Sequence, residues 1–198
     1  MGVAPSRATA RLLEPYYRKR NPHLDSDERG RFEQTTLPHL DAAYNLARWL
    51  TQDEHAAEDV VQEAYLRAAR YFASFRGGDG RPWLLGVVRR ASLDWISKRR
   101  NQPAVAFNEE LHDQGDDALN PERLALRNSD QASVRQALAD LPLQLREVIV
   151  LRELEGLSYQ QIATLIEVPI GTVMSRLSRG RQQLQGRLAP NFGQNTGT

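Results

Sequence analysis

The sequence predicts an all-α protein whose two small helical domains are joined by a flexible acidic linker. Apolar residues recur at the three- and four-residue spacing of amphipathic helices on both sides of residues 101–128, and no segment alternates apolar and polar residues over the length of a strand. Residues 101–128 combine prolines, an acidic run and few aromatic side chains, a composition that cannot bury enough apolar surface to fold alone. We expect domains at residues 31–100 and 129–188, a loosely ordered arm at residues 1–30 and a short tail at residues 189–198.

The first domain is predicted to contain three amphipathic helices. A glycine-rich interruption at residues 77–80 separates the second helix from the third, because glycine weakens a helix interior and favours turns. Trp83 and Trp95 adjoin or share these apolar faces, so we assign both to the core. The three faces are Leu40, Ala43, Tyr44 and Ala47; Val61, Ala64, Tyr65, Ala68 and Phe72; and Leu84, Val88, Ala91 and Trp95.

The second domain is predicted to end in a helix-turn-helix. Ser158 and Gln161 have the spacing of a capping box, which predicts a helix that begins near Tyr159. Pro169 predicts the turn, because proline cannot donate to the preceding helical turn and pushes its neighbour out of the helical region. A second helix is expected from Gly171. We expect Ile170, Val173 and Leu177 to face the first helix, and Thr172, Ser175, Arg176, Arg179 and Arg181 to lie on the outer surface.

This second helix is basic, with no acidic residue between Gly171 and Leu188. The major groove of DNA is wide enough to admit a helix, arginine can pair with guanine edges there, and short hydroxyl side chains can reach bases or phosphates. The helix-turn-helix therefore predicts DNA binding.

The charges are segregated along the chain although the net charge is only +1. Acidic residues cluster at residues 53–63 and 109–122, and basic residues cluster at residues 89–100 and again after Gly171. Two separate basic regions could neutralise phosphates at two places on one nucleic acid, with the salt dependence that counterion release brings.

The composition excludes several classes of protein. The chain of 198 residues is 40% hydrophobic and 26% charged, as is ordinary for globular proteins. No apolar stretch approaches the roughly 18 residues that cross a membrane, and the N-terminal residues lack the apolar run of a signal peptide, so we expect a cytoplasmic protein without membrane insertion. Because the chain contains no cysteine, it can have no disulfide, thiolate metal site or thiol nucleophile.

Enzymatic motifs are absent from the sequence. None of the four histidines has metal-ligand spacing, and there is no P-loop, Rossmann glycine pattern or nucleophile elbow. We predict no catalytic residue, no metal and no cofactor.

Three stretches in order resemble bacterial RNA polymerase sigma factors of the sigma-70 family, in the extracytoplasmic-function (ECF) group. They are residues 57–68, residues 75–90 with Arg81-Pro82-Trp83-Leu84-Leu85-Gly86, and residues 171–179 with Gly171-Thr172-Val173-Met174-Ser175-Arg176. The resemblance covers roughly residues 32–188 and lacks the additional regions of housekeeping sigma factors. It implies that the first domain is sigma region 2 and the second is sigma region 4.

In this family, region 2 binds core RNA polymerase and captures unpaired bases of the −10 element, and region 4 recognises the −35 element in duplex DNA. The resemblance assigns contacts with the polymerase β′ clamp helices to Asp59, Gln62, Glu63 and Leu66. It assigns the −10 element to Phe75, Arg76, Asp79, Arg81, Arg89 and Arg90. It assigns the −35 element to Thr172, Ser175, Arg176, Arg179 and Arg181, with Arg181 expected on phosphate.

The implied partners are core RNA polymerase, through its β′ and β subunits, promoter DNA and an anti-sigma factor. The main alternative is a stand-alone helix-turn-helix transcriptional regulator. A regulator of that kind requires neither the acidic face that contains Asp59, Gln62 and Glu63 nor the loop and helix at residues 75–90.

Overall fold

The computed structural model describes residues 25–101 and 132–192, and these residues form helices and turns without a β-strand. The predicted linker and most of the predicted arm and tail lie outside the described residues. The first lobe, residues 25–101, contains α1 (Ser26–Thr36), α2 (Leu40–Thr51), α3 (Glu54–Arg70) and α4 (Gly80–Asn101). The second lobe, residues 132–192, contains α5 (residues 132–139), α6 (Leu143–Ile149), α7 (Tyr159–Ile166) and α8 (Ile170–Phe192). The predicted all-α fold is confirmed.

Two boundaries differ from the expectation. Helix α1 begins at Ser26, inside the range expected to be an arm, because the Asp25 carboxylate accepts hydrogen bonds from the backbone N–H groups of Asp27 and Glu28 and so caps a helix there. At the other end, α8 continues past Leu188 to Phe192.

The core of the first lobe lies between α2, α3 and α4, which pack against one another, with α1 across one end. Phe32 of α1 is fully buried and meets Tyr65 and Phe72 edge to face, with ring centroids 6.3 and 5.3 Å away. The Tyr65 hydroxyl donates to the Thr36 carbonyl at 2.9 Å, which satisfies the polar atom of a buried ring. The predicted apolar faces of α3 and α4 are buried except for Trp95, which is half-buried.

The second lobe contains the predicted helix-turn-helix. Ser158 and Gln161 form both hydrogen bonds of a capping box, and α7 begins at Tyr159 as predicted. Helix α7 ends at Ile166, and the left-handed φ of 59° at the following Glu167 turns the chain before Pro169. Helix α8 starts one residue earlier than expected, at Ile170. Val173 and Leu177 are buried between the two helices. Ile170, the first residue of α8, is 40% exposed and lines a shallow pocket together with Ala163 and Thr164 of α7.

The two lobes pack against each other, which differs from the expectation of two lobes joined only by a tether. Helix α4 contacts α7, and α2 contacts α6 and the π-helical turn Val150–Leu154 that follows α6. One continuous cluster of buried apolar residues runs through both lobes. At the rim of this interface the Gln52 side-chain amide donates to the Ala139 carbonyl at 2.6 Å.

Candidate polymerase and nucleic-acid interfaces

The predicted polymerase-binding residues form one face of α3. Asp59 and Glu63 are exposed, and Gln62 and Leu66 are half-buried beside them. The Glu63 carboxylate accepts from Arg67 Nε at 2.8 Å, and Arg67 also pairs with Asp94 of α4 at 2.5 Å. Hydrogen bonds to Asp94 and Glu63 raise the pKa of Arg67. The face is therefore acidic, with an apolar side chain at Leu66. Arg67 links it to the neighbouring helix through its ion pairs with Glu63 and Asp94.

The residues predicted for the −10 element divide into three groups. Arg76 and Asp79 are exposed on the turn before α4, where Gly77 and Gly78 have left-handed φ values of 86° and 88° that favour glycine. The Asp79 carboxylate accepts from the Arg81 backbone N–H at 3.0 Å, at the start of α4. Phe75 instead packs into an aromatic cluster, with ring centroids 5.8 Å from Phe72 and 5.2 Å from Trp83.

The three remaining arginines of that set form ion pairs with carboxylates of the second lobe. Arg81 pairs with Glu155 at 2.6 Å. Arg89 pairs with Glu147, and Arg90 with Glu167. The Glu147 and Glu155 side chains are each only 4% exposed, whereas the Arg90–Glu167 pair is open to solvent. In this arrangement the guanidinium groups of Arg81 and Arg89 face carboxylates that are almost fully buried, whereas Arg90 stays exposed to solvent.

Glu147 and Glu155, which pair with two of these arginines, were not identified from the sequence. Both lie in or beside the apolar run of α6 and its following turn, where a carboxylate interrupts the helical spacing of buried residues. A carboxylate at a position where the helical spacing predicts a buried apolar residue was the sequence signal for a buried ion pair. Burial raises the pKa of Glu155, and the hydrogen bond from Arg81 opposes this effect only in part.

The residues predicted for the −35 element lie on α8 in three environments. Ser175 and Arg179 are exposed, and Thr172 and Arg176 are half-buried at the edge of the helix. The Ser175 hydroxyl donates to the Thr172 carbonyl at 3.0 Å. Arg181 donates twice to Glu153, at 3.0 and 2.6 Å, and hydrogen bonds to Glu153 and Tyr159 raise its pKa.

One exposed side chain on α8 was not among the predicted contacts. Met174 is 50% exposed, although a methionine of an amphipathic helix is expected in the apolar face. The signal in the sequence was its helical position, because Met174 lies about a quarter-turn away from the buried Val173.

Two negative findings apply to residues 25–101 and 132–192. No helix there is both long and apolar enough to cross a membrane. No group of three histidine or acidic side chains in these ranges could hold a metal ion.

Comparison with protein families identifies both lobes. Residues 37–102 match the family described as Sigma-70 region 2, and residues 131–184 match Sigma-70, region 4. The order of the two regions and the helix-turn-helix in the second are those of a promoter-recognition factor.

Curated relatives give the same result over most of the chain. RNA polymerase sigma-H factor of Pseudomonas aeruginosa is 34% identical over 167 residues, which cover 80% of this chain and 86% of that protein. ECF RNA polymerase sigma factor SigE of Mycolicibacterium smegmatis is 34% identical over 158 residues, and the match spans 80% of this chain but only 62% of that longer protein.

Solved structures are similar as well. The sigma factor RpoE of Bartonella quintana, crystallised with the anti-sigma factor NepR, superposes with a TM-score of 0.65 at 27% identity and covers 80% of this chain and 96% of that one. CnrH, in complex with the cytosolic domain of CnrY, gives a TM-score of 0.58 at 23% identity over 92% of this chain and 98% of that one, which supports the fold alone.

The fold and the matches to both sigma regions therefore define a helical transcription initiation factor that directs RNA polymerase to promoters. The chain belongs to the sigma-70 family of RNA polymerase sigma factors, in the ECF group. The alternative of a stand-alone regulator is not favoured, because region 2 is present as well as the helix-turn-helix. The relatives are initiation factors rather than enzymes.

Proposed function

We propose that the chain binds core RNA polymerase through the exposed acidic face of α3 and brings two DNA-contacting surfaces, one from each lobe, to a promoter. The observation that carries this division of labour is the presence of two chemically opposite exposed surfaces: carboxylates on α3, and an α8 without any acidic residue between Gly171 and Leu188. An acidic surface repels DNA and suits a basic protein partner, and a basic surface does the reverse.

For the polymerase interface, Asp59 is the carboxylate that no ion pair engages within the described residues, and Leu66 supplies apolar area beside it. Buried apolar contacts supply affinity, and the carboxylates orient the partner. We assign this face to the clamp helices of the β′ subunit and expect the second lobe to contact the β subunit.

For the −10 element, Arg76 and Asp79 on the turn before α4 are accessible while the lobes are packed together. Arg90 is also exposed, whereas Arg81 and Arg89 are released from their carboxylates when the second lobe moves away from α4. Arginine can then hold the phosphates of the single strand, while the turn at Gly77 and Gly78 allows close approach of the backbone to an unpaired base.

For the −35 element, Arg176 and Arg179 are the basic side chains of α8 without an ion-pair partner among the described residues. Arg181 is held by Glu153, so we assign it to phosphate contact only if that pair opens. Ser175 and Thr172 complete the surface with hydroxyl groups.

We further propose an anti-sigma factor as a regulatory partner, since the relative RpoE was crystallised with one. A factor that works on RNA polymerase and promoter DNA acts in the cytoplasm, where we place this chain.

Reconstituted transcription tests the proposal. Purified core RNA polymerase and this chain would transcribe a library with randomised promoter sequences, and sequencing of RNA 5′ ends would reveal the motif. Asp59→Ala combined with Glu63→Ala should reduce core binding at least tenfold, while Glu58→Ala, the neighbouring exposed carboxylate on α3, serves as the matched control.

The DNA-binding variants should behave differently. Arg176→Ala and Arg179→Ala should each weaken promoter use by roughly tenfold, the effect of about 1–3 kcal/mol expected for a base contact, and leave core binding unchanged. If the chain forms no stable complex with core polymerase and binds DNA equally well alone, the chain acts as an independent regulator and the proposal is wrong.

A further inference from the structure

The exposed surface at the start of α8 has an apolar centre. Met174 is 50% exposed, and its neighbours one turn away on the helix, Gly171 and Ser178, are exposed as well. Both are small, so Met174 projects beyond them. A half-exposed methionine leaves apolar area in water that a partner could cover.

The charges around Met174 indicate which partner covers it. Arg181, which is paired with Glu153, lies two turns further along the same side of α8 as Met174. Arg176 and Arg179 lie farther round the helix, and no carboxylate occurs on the helix between Gly171 and Leu188. A partner that meets this surface must accept cationic neighbours, which favours the polyanion DNA over an apolar protein groove. Met174 also lies in the N-terminal half of the second helix of a helix-turn-helix, the part that meets base edges in the major groove.

Two polar side chains near Met174 already form intramolecular hydrogen bonds or ion pairs. The Ser175 hydroxyl donates to the Thr172 carbonyl, and Arg181 is paired with Glu153. The Met174 side chain forms no hydrogen bond or ion pair, and its flexible thioether adapts to irregular apolar surfaces. In the major groove the apolar group that a base presents is the 5-methyl group of thymine.

We propose that Met174 contacts the 5-methyl group of a thymine in the −35 element and thereby determines the base preference at that position. This inference rests on the proposed function and adds a specificity-determining residue to the five assigned from the sequence. Arg176 and Arg179 supply affinity and polar contacts, and Met174 distinguishes thymine from bases that lack the methyl group.

Replacement of thymidine by deoxyuridine tests the proposal, because uracil differs from thymine only by the missing methyl. Holoenzyme reconstituted with the wild-type chain would first select its −35 sequence from a randomised library. Each thymidine of that sequence would then be replaced singly by deoxyuridine. At one position we expect promoter affinity to fall about fourfold, the change that corresponds to losing one buried methyl group.

The same substitutions would be measured with the variant Met174→Ala. We expect the thymidine/deoxyuridine ratio at that position to fall to about one in this variant, because the apolar contact is gone. Leu154→Ala is the matched control: Leu154 is also 50% exposed in the second lobe but lies outside α8, so its ratio should equal that of the wild type.

The outcomes separate this inference from the proposed function. If the wild-type and Met174→Ala holoenzymes show the same ratios at every thymidine, or if the selected sequence contains no thymidine on either strand, Met174 does not determine specificity and the inference is wrong. If no −35 sequence is selected at all, the proposed function fails and the inference fails with it.

Discussion

At the scale of single residues, two buried carboxylates dominate the electrostatics of the molecule. Glu147 and Glu155 are each paired with an arginine of the first lobe, Arg89 and Arg81 respectively. Moving a carboxylate out of water costs several kcal/mol, and an opposite charge with good geometry offsets this cost. Removing either arginine would therefore leave a buried charge without compensation. The exposed pair between Arg90 and Glu167 is worth about 1 kcal/mol or less.

The raised pKa of Glu155 predicts a pH dependence of folding. The native state binds this proton more tightly than the unfolded chain does, so the contribution to stability is full below the ordinary pKa of 4.5 and is lost as pH rises through the raised value. Glu155→Gln removes the ionisation. Relative to this variant, the wild-type free energy of unfolding should therefore increase as pH falls from 7 towards 4.5, as measured by urea unfolding at several pH values.

A second variant checks the cause. Arg81 lowers the pKa of Glu155 against the effect of burial, so Arg81→Gln should raise that pKa further and move the transition to higher pH. A stability difference between the wild type and Glu155→Gln that stays constant over this pH range would contradict the role assigned to burial.

At the scale of elements, α8 has a buried face that holds it against α6 and an exposed face that carries the residues proposed to contact DNA. Gly180 is buried on the first face, and a Cβ atom added there would lie 2.8 Å from Ile149 Cγ1 and 3.1 Å from its Cδ1. The glycine therefore allows α8 to approach α6 more closely than alanine would. This close contact fixes the position of the whole helix, including its exposed half.

Two alanine variants on α8 should have opposite effects on stability. Gly180→Ala should destabilise the protein by about 1–2 kcal/mol, because overpacking against the buried Ile149 exceeds the gain in helix propensity. Gly186 has no atom within 4 Å of its added Cβ, so Gly186→Ala should stabilise the helix by up to about 1 kcal/mol.

Urea unfolding followed by circular dichroism measures both variants. If the two substitutions shifted stability in the same direction, the close approach of α6 and α8 would not explain why position 180 is a glycine.

At the scale of the whole molecule, the packed lobes cover part of the surface that we propose for the −10 element. The ion pairs of Arg81, Arg89 and Arg90 join α4 to the second lobe, and an apolar cluster continues between the lobes. The face of α3 that carries Asp59 and Glu63 remains exposed in this arrangement. We expect core polymerase to engage this face first and the lobes to separate before the −10 strand reaches α4.

Fluorescence energy transfer can measure the separation, because dyes attach only to introduced thiols in a chain without cysteine. Ala73→Cys and Gln182→Cys place one exposed label in each lobe. Transfer should fall when Glu147→Gln and Glu167→Gln are added, since breaking the buried Arg89–Glu147 pair costs about 3 kcal/mol. In the wild type, salt should lower transfer by screening the exposed Arg90–Glu167 pair.

Glu153→Gln is the control for this experiment, because it breaks the ion pair with Arg181 inside the second lobe and none between the lobes. Transfer should be unchanged in this variant. An equal loss of transfer in the control, or none in the double variant, would show that the interlobe ion pairs do not hold the lobes together.

Local sequence signals predicted the helices well. The Ser158 and Gln161 cap, the turn at Pro169 and the buried stripe of α3 all depend on residues within a few positions of one another. The family resemblance rested on such signals too, and it is confirmed by the matches to sigma regions 2 and 4. The residue roles assigned from that resemblance stay predictions, now with the accessibility of each side chain known.

The sequence by itself determined the helices, the helix-turn-helix, the class of protein and the separation of acidic from basic surfaces, because each depends on spacing along the chain. Only the tertiary structure decided which charged side chains are exposed to partners and which are paired within the protein. Arg81, Arg89 and Arg90 lie 58 to 77 positions from their carboxylates. Pairing and burial over such distances arise from packing of whole helices, which no local pattern encodes.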